Sequence, residues 1–202
     1  MSSISTASTY QGIDLAGHPS RRRRAGALLI DVFINFTVFS TSFILIGVHL
    51  YAAHYLITGR DLDFNSFSES VVAELFFRFV LLFVAFIYFV AFEAIYGATP
   101  GKHLLGMHVF KSDGRRCDTG SAVIRAICLF MIDSLIWGLP AFASMQPPLY
   151  QRIGDRAAKT VVVNRHESPV PLPPFWRFLV AMVIYLMITN LAALIVLFTL
   201  II

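Results

Sequence analysis

Apolar positions dominate four stretches of this chain, and short polar segments between them hold most of its charge. Residues 25–51, residues 71–95 and residues 176 onward are each long and apolar enough to cross a bilayer as a helix. The second stretch is strongly aromatic, with Phe76, Phe77, Phe79, Phe83, Phe86, Tyr88, Phe89 and Phe92, and Gly97 and Pro100 stop it. Residues 122–149 form another apolar stretch, interrupted by Gly138 and Pro140 and ended by Pro147-Pro148. The basic residues Arg152, Arg156, Lys159 and Arg165 follow it, and a straight span would carry them outside the cell. The pattern therefore predicts a bent pair of short arms that folds back near Pro140.

The expected fold class is all-α, a polytopic membrane helix bundle with a broken or re-entrant third apolar segment. Residues 1–20 read as a flexible cytoplasmic tail and 21–164 as the membrane domain. Residues 165–175 read as a stiff connector carrying Pro169, Pro171, Pro173 and Pro174, and 176–202 as a C-terminal transmembrane helix. Thr99-Pro100-Gly101-Lys102 looks like a fresh helix start, with Thr99 as N-cap and Pro100 in the first position. Residues 103–108 then read as a short amphipathic stretch at the membrane face, and Asp113-Gly114 as a turn.

Composition sharpens this picture. The chain has 202 residues, of which 57% are hydrophobic and only 14% charged, with mean hydropathy +0.72. That is an integral membrane protein with no room for a large soluble domain. The net charge of +4 sits in clusters outside the apolar runs, which suits loops facing anionic lipid and not a nucleic-acid surface. Arg21, Arg22, Arg23 and Arg24 precede the first span and predict a cytoplasmic N-terminus, with that span acting as a signal-anchor. The loop 52–70, with Asp61, Asp63 and Glu69 against Arg60, suits the outer side. Cys117 and Cys128 read as reduced thiols without metal-ligand spacing. His49, His54, His103 and His108 read as interfacial polar groups. No phosphate loop or hydrolytic set is present in the sequence, so neither an enzyme nor a cofactor is expected.

The candidate chemistry lies in charges within or beside apolar runs. A carboxylate at bilayer depth is costly and marks a functional site by default. Arg24, Asp31 and Asn35 share one helix face, with Arg24 the nearest candidate partner for Asp31. Asp31 reads either as an exchangeable ion or proton site or as a fixed pair that sets helix packing. Glu93 reads as a second carboxylate of an ion path or as an interfacial charge. Asp155, between Arg152 and Arg156, reads as a gate or, preferably, as a cap or ion pair to Arg24 or Lys102. Arg125 and Asp133 stand eight apart, roughly 80° around a helix, and are expected to bond across to the first span. Glu74 and Arg78 read as an intrahelical pair.

Three blocks carry a resemblance. Arg24 with Asp31 is the first. The second is Gly97-Ala98-Thr99-Pro100-Gly101-Lys102-His103-Leu104-Leu105-Gly106-Met107-His108-Val109. The third is Gln151-Arg152-Ile153-Gly154-Asp155-Arg156-Ala157-Ala158-Lys159-Thr160-Val161-Val162-Val163. In this order they resemble the RDD family of small bacterial membrane proteins, over about residues 20–164. The resemblance implies that Arg24 and Asp31 are the family arginine and first aspartate, with Asp155 as the second. It also implies a cytoplasmic face built from Gly97, Thr99, Pro100, Gly101, Lys102, Gly106, Arg152 and Thr160. Lys159 departs from the pattern, which usually has glycine there, and so stiffens that turn. The functions implied are transport of unknown ligands or monovalent cation/proton antiport in the bacterial inner membrane. So few helices enclose a pathway poorly, so a homo-oligomer or a partner membrane protein is expected with it. The rival expectation is an accessory or scaffold protein whose buried charges specify helix or partner packing.

Overall fold

The computed structural model describes residues 18–60, 71–133, 139–147, 149–168 and 171–201. Outside them lie most of the expected tail, the acidic loop residues 61–70, Gly138 of the expected bend, Pro148 and Pro169. In chain order the elements are α1 (Arg21–Thr58), α2 (Val71–Ile95), α3 (Pro100–Leu104), β1 (Met107–Lys111) and α4 (Thr119–Cys128). A π-helical turn (Leu129–Asp133), α5 (Leu139–Ser144), α6 (Ile153–Ala157), β2 (Thr160–Asn164), a 3-10 turn (Arg165–Glu167) and α7 (Phe175–Ile201) follow.

Among the described residues, three helices are long and apolar enough to cross a membrane: Arg21–Thr58, Glu74–Ile95 and Phe175–Phe198. Large apolar side chains point outward along them, among them Phe33 at 69% exposure and Met187 at 68%. Such exposure is untenable in water and expected against acyl chains. The first helix outruns its expected end because no glycine or proline follows Tyr51 until Gly59. Gly59, at φ 65°, closes the helix with a bond from its amide to Tyr55 O at 2.8 Å. The second span has the expected bounds, and Gly97, at φ 83°, donates back to Phe92 and Glu93 carbonyls.

The segment expected to be an amphipathic stretch is where the structure departs most from the pattern. α3 ends at Leu104, Gly106 turns the chain at φ 64°, and Met107 opens a strand. β1 pairs antiparallel with β2, from Met107 opposite Asn164 to Lys111 opposite Thr160. The run Val161-Val162-Val163 favours a strand because β-branched side chains fit a pleated surface better than a helix. Both faces of this two-stranded sheet are covered. Met107, Val109 and Val162 pack with Ala27, Cys117 and Ala122, while Phe110, Val161 and Val163 pack with Leu172. His108 is consequently fully buried, not interfacial, and packs against the rings of Tyr96 and Phe110.

Among the described residues, the third apolar stretch holds α4, the π turn and α5, none long enough to span a bilayer. Pro140 lies in the first turn of α5, a position that tolerates proline.

The chain forms two compact units. One comprises residues Met1–Val32 and Phe89–Ala181 and holds the sheet, the short helices and the buried charges. The other comprises Phe33–Tyr88 and Met182–Ile202. Its packing is aromatic and small-residue: Tyr88 meets Tyr185 edge-on at 5.0 Å, Phe39 and Phe43 meet Phe77, and Leu197 lies over Gly47. Asn35 belongs here; its carbonyl accepts from the Tyr185 hydroxyl at 3.4 Å. It lies outside the unit that holds the buried ion pairs, although it is on the same helix as Arg24 and Asp31.

Candidate functional site

Asp31 is 1% exposed and fastens the start of α3. It accepts from Thr99 Oγ1 at 2.5 Å and from the Gly101 amide at 2.7 Å. Thr99 is the N-cap residue, as its sequence position suggests, but its hydroxyl serves Asp31 and not its own helix. Glycine at 101 is needed for this approach, because a Cβ there would lie 2.2 Å from the Ala27 carbonyl oxygen and 2.9 Å from the Asp31 carboxylate. The carboxylate thus replaces missing partners at a helix start, a charge-assisted arrangement stronger than neutral bonds.

Arg24 does not supply those bonds. Its guanidinium bonds Asp155, and Nη1 donates to the Tyr150 carbonyl at 2.5 Å. Two turns of helix separate Arg24 from Asp31, so sharing a face leaves each to meet a different neighbour. Asp155 is completely buried and bonds both Arg24 and Arg125, while the Arg152 amide donates to its Oδ2 at 3.0 Å. Both expectations for it, a cap and an ion pair to Arg24, hold in one side chain.

Arg125 is the hub. Its Nε donates to Glu93 Oε2 at 2.6 Å, Nη1 to Asp155 and to Thr160 Oγ1 at 2.8 Å, and Nη2 to Glu93 Oε1 at 3.2 Å. Lys102 Nζ completes the Glu93 shell at 2.5 Å. Glu93 is 2% exposed, so it is a buried partner and not an interfacial charge. Arg125 bonds α2 and α6, not the first span as helix geometry suggested. Gly154 lets α6 approach, since a Cβ there would lie 2.8 Å from Cys128 Cβ. Burial alone would raise the Asp155 carboxyl, but Arg125, Arg24 and Arg152 together hold it far below the usual carboxylate range. Burial lowers Lys102, with Glu93 opposing.

Asp133 differs from the other three carboxylates. It is 1% exposed, yet neither oxygen accepts a hydrogen bond among the described residues. Its nearest cation is Arg152 Nη1 at 3.4 Å, and Arg152 Nη2 lies 3.6 Å from Asp155. Arg152 Nε likewise has no acceptor. Burial pushes the Asp133 carboxyl up, and Arg152 offsets this only in part. Asp133 lies in the π turn, which changes the face on which it falls and so defeats an angle counted on an α-helix. No residue pattern marks that turn. Both residues line a cavity of about 510 Å³, together with Arg24, Asp31 and Lys102. Its remaining wall is largely apolar, including Leu28, Phe89, Leu139, Phe142 and Met145.

The other sequence candidates fall elsewhere. Glu74 and Arg78 make their i,i+4 pair at 2.5 Å on an exposed surface. Gly97 and Gly106 shape the turns around α3, and Thr160 bridges Arg125 to the Asp155 carbonyl. Lys159 takes a left-handed φ of 51°, which accounts for a glycine preference at that turn.

A model of the RDD family matches residues 18–202. The match takes in the proline connector and α7, so the resemblance extends well beyond residue 164, where the motif blocks end. No curated relative and no solved structure matches the chain. On a match across nearly its whole length, the chain belongs to the RDD family of membrane proteins.

Proposed function

We propose that this protein is a transporter of a small solute across the bacterial inner membrane, with Asp133 as its proton-exchanging group. The observation that carries the reading is a buried carboxylate without a hydrogen bond among the described residues, on the wall of a cavity of about 510 Å³. That volume and its apolar walls with few polar groups suit a small organic ligand. A bare cation is less well served, because Asp31, Glu93 and Asp155 already hold short bonds from donors in the chain. Asp31, the first choice on sequence grounds, is a fixed latch in this reading.

The arginines 21–24 support a cytoplasmic N-terminus, and so small a set of candidate spans supports function as a homo-oligomer. The accessory-protein reading fits the Arg24–Asp155–Arg125–Glu93–Lys102 chain, but leaves Asp133 and the cavity without a role. Proteoliposomes with an internal pH indicator test the proposal. Pulses of sodium, potassium, small organic acids and small amines should include at least one solute that drives proton movement. Asp133→Asn should abolish that movement and leave folding intact. Silence toward every solute, or undiminished coupling in Asp133→Asn, contradicts the proposal.

A further inference from the structure

The charged end of the cavity specifies more than a polar ligand. Arg24, Lys102 and Arg125 each have a carboxylate or carbonyl within 2.6 Å. Arg152 does not: its two closest carboxylates stand at 3.4 and 3.6 Å, beyond good hydrogen-bond length, and its Nε has no acceptor. Asp133 faces Arg152 and Asp155 from the α6 cap, Arg24 from α1, and Arg125 and Cys128 from α4. A guanidinium in need of acceptors therefore stands beside a carboxyl in need of a donor or a proton.

A carboxylate satisfies both. It offers two oxygens to a guanidinium fork and spare lone pairs to a protonated carboxyl. An ammonium would instead enter a site lined by Arg24, Lys102 and Arg152 and share Asp133 with Arg152. An uncharged hydroxyl would leave part of the guanidinium unsatisfied. The rest of the cavity calls for a hydrocarbon body, since Leu28, Leu29, Leu139, Phe142 and Met145 line it.

We propose that the cavity binds a monocarboxylate with an apolar tail, lodged by its carboxylate between Arg152 and Asp133, and that binding adds one proton to Asp133. The proton comes from solution and forms an O–H bond on Asp133, and no bond of the ligand breaks. The ligand brings one negative charge and the proton one positive, so the net charge of the buried cluster is unchanged. This deepens the transport reading and rests on its cavity.

Calorimetric titration of the purified full-length protein in a non-ionic detergent tests it, with octanoate, octylamine and octan-1-ol as probes. Paired buffers of different ionisation enthalpy report the protons taken up. Saturable octanoate binding with about one proton per ligand is the expected result. Arg152→Gln should weaken it roughly tenfold or more, the scale of a lost charge-assisted bond, and Arg152→Lys should recover part. Asp133→Asn, nearly isosteric, should still bind octanoate, because its amide can donate, but without proton uptake. Octan-1-ol binding as well as octanoate, octylamine binding more tightly, or octanoate binding without a proton each overturns the proposal. Octanoate bound but never translocated in liposomes keeps this ligand and removes the transport reading. Translocation of other solutes without octanoate binding does the reverse.

Discussion

Asp31 and Asp133 are both 1% exposed aspartates of one unit, and their surroundings give them opposite roles. Asp31 receives a hydroxyl and a backbone amide at 2.5 and 2.7 Å, so its charge is held in place. Asp31→Asn weakens both bonds and should cost about 1–3 kcal/mol, read as a fall in thermal midpoint. Gly101→Ala drives a methyl into the Ala27 carbonyl oxygen as well as the same carboxylate, so backbone must shift and the cost should reach or exceed the ~1–3 kcal/mol of ordinary overpacking. Lys159→Gly should stabilise by about 1 kcal/mol, because its φ of 51° is strained for any residue with a Cβ. Those two substitutions, measured by thermal unfolding in detergent, separate a tight approach from a strained turn.

At the scale of elements, the sheet and the ionic hub hold the short segments together. Arg125 joins α2 and α6 through Glu93 and Asp155 while buried to 1% exposure. Removing one member of such a set leaves a buried charge uncompensated, so Arg125→Met should cost about 3–5 kcal/mol. His108 on β1 contributes a pH dependence. Burial, with His103 and Arg165 nearby, lowers its pKa to about 4. The unfolded chain then binds the proton more readily, so stability is full above the ordinary histidine value of about 6.5 and falls as pH drops toward 4. His108→Phe should flatten the thermal midpoint across that window. The long helices were legible because apolar length is a strong signal, and the capped start of α3 because Thr99-Pro100 is local chemistry. The strands were not, since five-residue segments on either side of α4, α5 and α6 pair only through tertiary contact. Nor was Asp133's position, since one π turn breaks the period on which a helical count depends. The partners of Asp31 and Arg125 are not legible for a related reason. Spacing reports a shared face but not which element covers it.

Across the whole molecule, the long helices present mostly apolar side chains outward, and one unit gathers the buried ionic groups, several of them on the wall of a cavity. Arg24, Lys102, Arg125 and Arg152 balance Asp31, Glu93, Asp133 and Asp155, so the cluster changes net charge only if one member exchanges a proton. The central claim is that Asp133 is that member. The direct measurement is solute-driven proton flux in proteoliposomes bearing the unmodified protein, Asp133→Asn or Asp31→Asn, each verified as folded. Flux lost in Asp133→Asn and retained, at reduced thermal stability, in Asp31→Asn is the predicted result. Flux that survives Asp133→Asn and disappears in a stable Asp31→Asn would contradict it.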